Sequence, residues 1–102
     1  MAKVVWTAGA LQDLNEIADF IAADNPTAAD RLVQRVFERV DLLESFPEIG
    51  RYVPEFAERV HRELVVPPCR VVYRFEKGAA FIELIIRGER LLTEQMIRNR
   101  ML

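Results

Sequence analysis

A chain of 102 residues, 51% hydrophobic and 29% charged, can bury one core without staples and is too apolar for disorder. Its single cysteine, Cys69, excludes an internal disulfide framework, and one His with one Cys excludes a zinc site of ordinary ligands. No apolar run nears the roughly 20 residues that span a bilayer, and no secretory pattern opens the chain, so a cytoplasmic, reducing setting is expected.

The net charge of −2 says little about partners, but its distribution is uneven. Residues 1–50 carry Lys3, Arg31, Arg35 and Arg39 against nine acids, a balance of −5, whereas residues 51–102 carry ten bases against seven acids, +3. Twelve of the fourteen bases are Arg, the residue suited to bidentate contact with carboxylate or phosphate. The second half is therefore the expected interaction half.

Lys3–Trp6 reads as a short β run that must join a larger sheet. Thr7 can cap the helix that follows, in which Ala10, Leu11, Leu14, Ile17, Ala18 and Ile21 recur at helical steps up to Ala23. Asn25 and Pro26 fit the cap and first position of a second helix running to about Glu44. Its stripe is Ala29, Leu32, Val33, Val36, Phe37, Val40 and Leu43. So short a connection predicts a helical hairpin, with its charged residues merely solvated. The loop 46–54 follows, in which Gly50 is expected at a positive φ and Phe46 or Ile49 beneath the hairpin.

Three β runs come next, Arg59–Val66, Arg70–Glu76 and Ala80–Arg87, broken by Pro67-Pro68 and Lys77-Gly78. Their spacing predicts an antiparallel meander. Strict alternation assigns Leu64, Val66, Val71, Tyr73, Phe75, Ala80, Ile82, Leu84 and Ile86 to the core face. Arg62 shares that parity and is expected at a bulge or rim. The opposite face receives His61, Glu63, Val65, Arg70, Val72, Arg74, Phe81, Glu83, Ile85 and Arg87, either as a solvated surface or as a docking groove. From about residue 91 the apolar spacing is uneven and predicts a short helix or a loosely held tail. Cys69, at a turn-to-strand junction, reads as a packing residue rather than a nucleophile. The order is β-α-α-β-β-β, a single α+β domain over 1–102 with an αα-hairpin on a small antiparallel sheet.

The ordered set Trp6, Ala8, Asp13-Leu14, Ile17, Asn25-Pro26, Ala28-Ala29, Phe46-Pro47, Gly50-Arg51, Arg62-Glu63-Leu64, Arg70-Val71-Val72-Tyr73-Arg74 and Gly88-Glu89-Arg90 resembles the RelE/ParE superfamily of bacterial toxins. The resemblance covers essentially the whole chain. It implies the toxic half of a type II toxin–antitoxin pair, without cofactors. A small antitoxin would silence it, its C-terminal segment wrapping the toxin and its N-terminal part binding DNA. Val65, Val72, Arg74, Phe81, Ile85 and Arg87 are the expected antitoxin-facing residues.

The superfamily has two branches, ribosome-dependent messenger-RNA nucleases resembling RelE and gyrase poisons resembling ParE. A nuclease needs groups to activate the 2′-hydroxyl, hold the phosphate and protonate the leaving oxygen. His61, Arg70 and Arg90 are the matching candidates. Glu63 stands where the nuclease pattern has a base, however, and Met96 about where it has a tyrosine. Asn25-Pro26, Pro47 with Gly50-Arg51, and Arg62-Glu63-Leu64 are more similar to the ParE branch. The resemblance thus implies gyrase inhibition, with Arg51, Arg70, Arg87 and Arg90 facing the target. A ribosome-dependent nuclease and a non-toxic domain that binds one acidic protein are the alternatives.

Overall fold

The computed structural model describes residues 1–100. Its elements are β1 (Lys3–Trp6), α1 (Ala8–Ala22), α2 (Pro26–Asp41), a 3-10 turn (Leu42–Glu44), β2 (Arg51–Tyr52), β3 (His61–Val66), β4 (Cys69–Glu76), β5 (Ala79–Arg87) and α3 (Glu94–Arg98). The five strands form one sheet in the order β1-β5-β4-β3-β2. The class is α+β as expected, but the sheet is mixed, because β1 pairs parallel with β5. The connection between them, which holds both helices and β2 to β4, far exceeds what a parallel return requires. The prolines and glycine of the loop 46–54 conceal a further edge strand, β2, which pairs with only two residues of β3. The expected tail helix is α3, and residues 101–102 lie outside the described chain.

Both helices begin on side-chain caps. The Thr7 hydroxyl accepts the Ala10 N–H at 3.2 Å and donates to the Ile82 carbonyl at 2.6 Å, tying α1 to β5. Asn25 accepts the Ala28 N–H, and Pro26 occupies the first turn of α2. Ala10, Leu14, Leu32, Val36, Val40 and Leu43 then meet Leu64, Val66, Val71, Tyr73, Ala80 and Ile82 in the main core. Lys77 and Gly78, at φ 51° and 78°, make the two-residue turn whose twist matches the flanking strands.

Three local expectations are corrected. Gly50 does not adopt a positive φ. It is small because a Cβ there would lie 2.7 Å from the Tyr73 ring and 2.8 Å from the Glu63 carbonyl oxygen. Through this close approach the Tyr73 hydroxyl accepts the Gly50 N–H and donates to the Pro47 carbonyl. Phe46 and Ile49 are exposed rather than tucked under the hairpin. The third correction is the largest. Val72 pairs with Leu84 and Tyr73 with Ile82, so β5 carries an extra residue, Glu83. Such a bulge reverses the alternation beyond it. Leu84 and Ile86 therefore leave the core face and Ile85 enters it.

The reversed strand end creates a second small core on the far side of the sheet. Val53, Val72, Leu84, Ile86, Leu92 and Ile97 are buried there, with Phe56 and Met96 packed against them. The chain's own loop and tail cover much of the face that strict alternation left to solvent. Arg62 lies at the rim as expected, donating to the carbonyls of Glu48 and Gly50 and to the Tyr52 hydroxyl.

Candidate functional site: an ion-paired sheet face

Three clusters of charged residues sit around the second core. The deepest centres on Glu63, whose side chain is 0% exposed. Register places Arg51 opposite Glu63, and Arg70 one diagonal step away across β3 and β4. Both arginines donate to Glu63 through Nε at 2.6 Å. The other side of the Arg70 guanidinium forks onto Glu55, Nη1 and Nη2 each reaching a carboxylate oxygen at 2.7 Å. The Leu92 N–H adds a third donor to Glu55 at 3.0 Å, so the cluster also holds the start of the tail.

Two arginines balance two glutamates, which lets Glu63 stay buried; a carboxylate there without partners would be prohibitive. The Arg70 fork and the Leu92 amide hold Glu55 well below the usual carboxylate range, at about 2. The same contacts, Glu55 first, raise the Arg70 pKa further. Glu63 therefore acts as the buried anchor of Arg51 and Arg70.

The second cluster joins His61, Glu83 and Arg74. His61 and Arg74 are register partners, and the bulge turns Glu83 toward both. His61 Nε2 lies 3.1 Å and Arg74 Nε 3.2 Å from the same Glu83 oxygen. The Arg74 guanidinium covers the Phe81 ring at 4.4 Å. His61 and Glu83 are buried, and His61 meets the Phe56 ring edge-on. Beside them Phe56, Glu58, Val60, Glu94, Ile97 and Arg98 complete a cavity of about 260 Å³.

The third cluster closes the outer edge of β5 where β1 no longer covers it. Asp13 of α1 accepts the Ile85 N–H at 3.0 Å and pairs bidentately with Arg100 at 2.7 and 2.8 Å. Arg100 also donates to the Glu83 carbonyl at 3.0 Å. Two edge groups at the bulge are thereby satisfied by side chains. Asp13 is thus more than a solvated helix charge.

The expected site residues separate into different environments. Arg70 is engaged on both sides and 10% exposed at its side chain, whereas Arg51 is 63% exposed. Arg87 pairs with Glu89 at 2.9 Å and stacks over Phe20, and Arg90 is exposed beside Asp13, Glu16 and Arg100. Val65 is exposed, and Arg74 and Phe81 are half-buried, but Val72 and Ile85 are enclosed within the chain. The bulge accounts for Ile85, and the tail's apolar residues for Val72. Cys69 is buried, which pushes its thiol pKa up. Sequence reasoning overlooked Glu55, Glu83, Asp13 and Arg100 as organising groups. Only Glu83, a lone charge inside AAFIELII, carried a visible signal.

Known proteins give this architecture its class. A family model described as ParE toxin of type II toxin-antitoxin system, parDE, matches residues 4–92. Toxin RelE2 of Caulobacter vibrioides is 41% identical over 92 residues, covering 89% of this chain and 100% of that one. A chain of the solved chromosomal ParDE TA system from P. aeruginosa superposes with a TM-score of 0.74 at 27% identity, covering 87% of this chain and 98% of that one. Fold and relatives together define a toxin of a type II toxin–antitoxin system in the RelE/ParE superfamily. The chain belongs to the ParE toxin family, and that membership implies a cognate antitoxin. Among the described residues no helix is long and apolar enough to cross a membrane.

Proposed function

We propose that this toxin acts by inhibiting DNA gyrase, and that messenger-RNA cleavage is not its activity. One observation carries the reading. The three residues of the nuclease alternative border three different cavities, His61 one, Arg70 a second and Arg90 a third. An RNA-cleaving site requires its acid, base and phosphate ligand around one scissile bond. His61 is also engaged by Glu83, and Arg70 by Glu55 and Glu63. Removing a single general acid or base typically costs about 10²–10⁴ in rate. In this structure the three line no common cavity among those described.

Arg51, Arg87 and Arg90 are then the target-facing candidates, and Arg70 serves as the post behind Arg51. On the antitoxin side Val65, Arg74, Phe81 and Arg87 remain accessible to a partner. The test pairs two readouts from cells expressing the toxin: primer extension on messenger RNA and a gel for cleaved plasmid. Broken DNA without new RNA ends is expected. Codon-phased RNA ends with intact DNA would overturn the gyrase reading.

A further inference from the structure

The cavity of about 260 Å³ beside His61 opens between the loop that leads into β3 and the tail helix α3. Neither the second core nor the ion-paired rim accounts for its polar wall. His61 begins β3, and the Val53 N–H bonded to the His61 carbonyl fixes where the loop departs. The His61 side chain is only 7% exposed. Its Nε2 is held by Glu83, which lies outside the cavity wall. A carboxylate accepts hydrogen bonds and does not donate them, so that contact places the proton of the neutral ring on Nε2 and a lone pair on Nδ1. Nδ1 has no hydrogen-bond partner among the described residues and is not sealed from solvent. A ring nine-tenths buried thus turns one unanswered acceptor into the cavity.

The rest of the lining continues that bias. Glu58 of the loop has no ion-pair partner among the described residues. Glu94 of α3 meets only Arg98, one turn on, at 3.2 Å, and both side chains are more than half exposed, so water screens the pair. Two carboxylates against one guanidinium leave the cavity with a negative charge in excess. Phe56 and Ile97 add apolar surface that can cover methylene groups, and the face of an aromatic ring attracts a cation. The acceptors therefore come from the loop, β3 and α3, around an apolar middle. An anion would find the one basic group already paired, and a purely apolar ligand would strand His61 Nδ1.

We infer that this cavity binds a small aliphatic diamine, whose ammonium groups donate to His61 Nδ1, Glu58 and Glu94 while its methylenes pack on Phe56 and Ile97. Charge-assisted N–H bonds to carboxylates are stronger than neutral ones. Nδ1 adds a buried, fixed acceptor that a pair of surface carboxylates lacks. Because Phe56 and Glu58 stand on the loop and Glu94 and Ile97 on α3, an occupant spans the two segments and holds the tail against the sheet. The site makes no use of Arg51, Arg87 or Arg90, so it stands or falls independently of the gyrase reading.

The test uses the purified full chain at neutral pH and putrescine, a four-carbon diamine, with butylamine and inorganic phosphate as comparison probes. Ionic strength is held at about 0.15 M so that general screening is the same throughout. In titrations followed by nuclear magnetic resonance, putrescine should shift the His61 Nδ1 and Ile97 methyl resonances. It should bind at least about tenfold tighter than butylamine, the equivalent of one charge-assisted contact. Hydrogen exchange at the α3 amides should slow in its presence. Glu58→Gln, at an exposed position, should weaken putrescine binding by about tenfold, whereas Glu44→Gln, an exposed acid in the 3-10 turn, should leave it unchanged. Equal affinity for putrescine and butylamine, an equal loss in the two variants, or a His61 resonance that stays fixed would overturn the site. Phosphate shifting the same resonances in place of putrescine would assign the cavity to anions and overturn it as well.

Discussion

The two faces of the sheet are made by the same strands yet are closed by different forces. Toward the helices, side chains from α1 and α2 interlock with the strands in one continuous apolar core. Toward the other side, a handful of apolar residues is ringed by Glu63 with Arg51 and Arg70, by Glu83 with His61 and Arg74, and by Asp13 with Arg100. Apolar burial is nondirectional and tolerates substitution. An ion-paired rim is directional and fails abruptly when one partner is lost. Arginine richness in the second half of the chain is thus in part a structural device.

The sharpest way to break this contrast is at Glu63. Glu63→Ala leaves two arginines facing a void and should cost about 3–5 kcal/mol. Glu63→Ala should thus cost as much as Leu32→Ala in the main core, for which about 2–5 kcal/mol is usual. Urea unfolding of both variants checks the equality. A loss below about 1 kcal/mol for Glu63→Ala would mean that the rim is only a solvated surface.

A smaller effect sharpens the comparison through pH. Arg70 holds the Glu55 carboxyl at about 2 in the folded chain, against an ordinary 4.5. The unfolded chain therefore takes up the proton first as pH falls. The contribution is complete above about pH 4.5 and is lost as pH drops toward 2. Because Glu55 is partly exposed, solvent screening limits it to about 1 kcal/mol. Glu55→Gln should flatten stability over that window and leave the neutral-pH slope unchanged, as read by thermal melts at a series of pH values.

The difference between the faces also marks what could be read from the sequence. Helical spacing in α1 and α2, the Thr7 and Asn25 caps, and the strand pair around Lys77-Gly78 were legible because each is written locally. So was the core parity of Leu64, Val71 and Tyr73. The reversal at Glu83 was not, since an extra residue in a strand shows itself only through its register with β4. β2 was hidden because two residues give no alternation to detect. Glu55 and Arg100 were hidden because their partners lie 15 and 87 residues away. The resemblance to a toxin superfamily survived these errors, as it rested on ordered motifs rather than on face assignments.

An effect of similar size is expected at Cys69. It fills the main core and can form no internal bridge, so Cys69→Ala should cost about 1 kcal/mol and leave growth arrest unchanged. Loss of toxicity in a folded Cys69→Ala variant would assign the thiol a chemical role.

Arg70 is held between Glu55 and Glu63 as a scaffold group, which leaves its guanidinium engaged rather than free for a phosphate. Nuclear magnetic resonance reads this directly at the Arg70 Nε–H, which donates to Glu63 at 2.6 Å. With the side chain locked, that proton should exchange slowly at neutral pH and its resonance should stay fixed as inorganic phosphate or a short RNA is added, while exposed Arg90 responds. A rapidly exchanging Arg70 Nε–H that shifts on phosphate addition would contradict the account and return Arg70 to the target-facing surface.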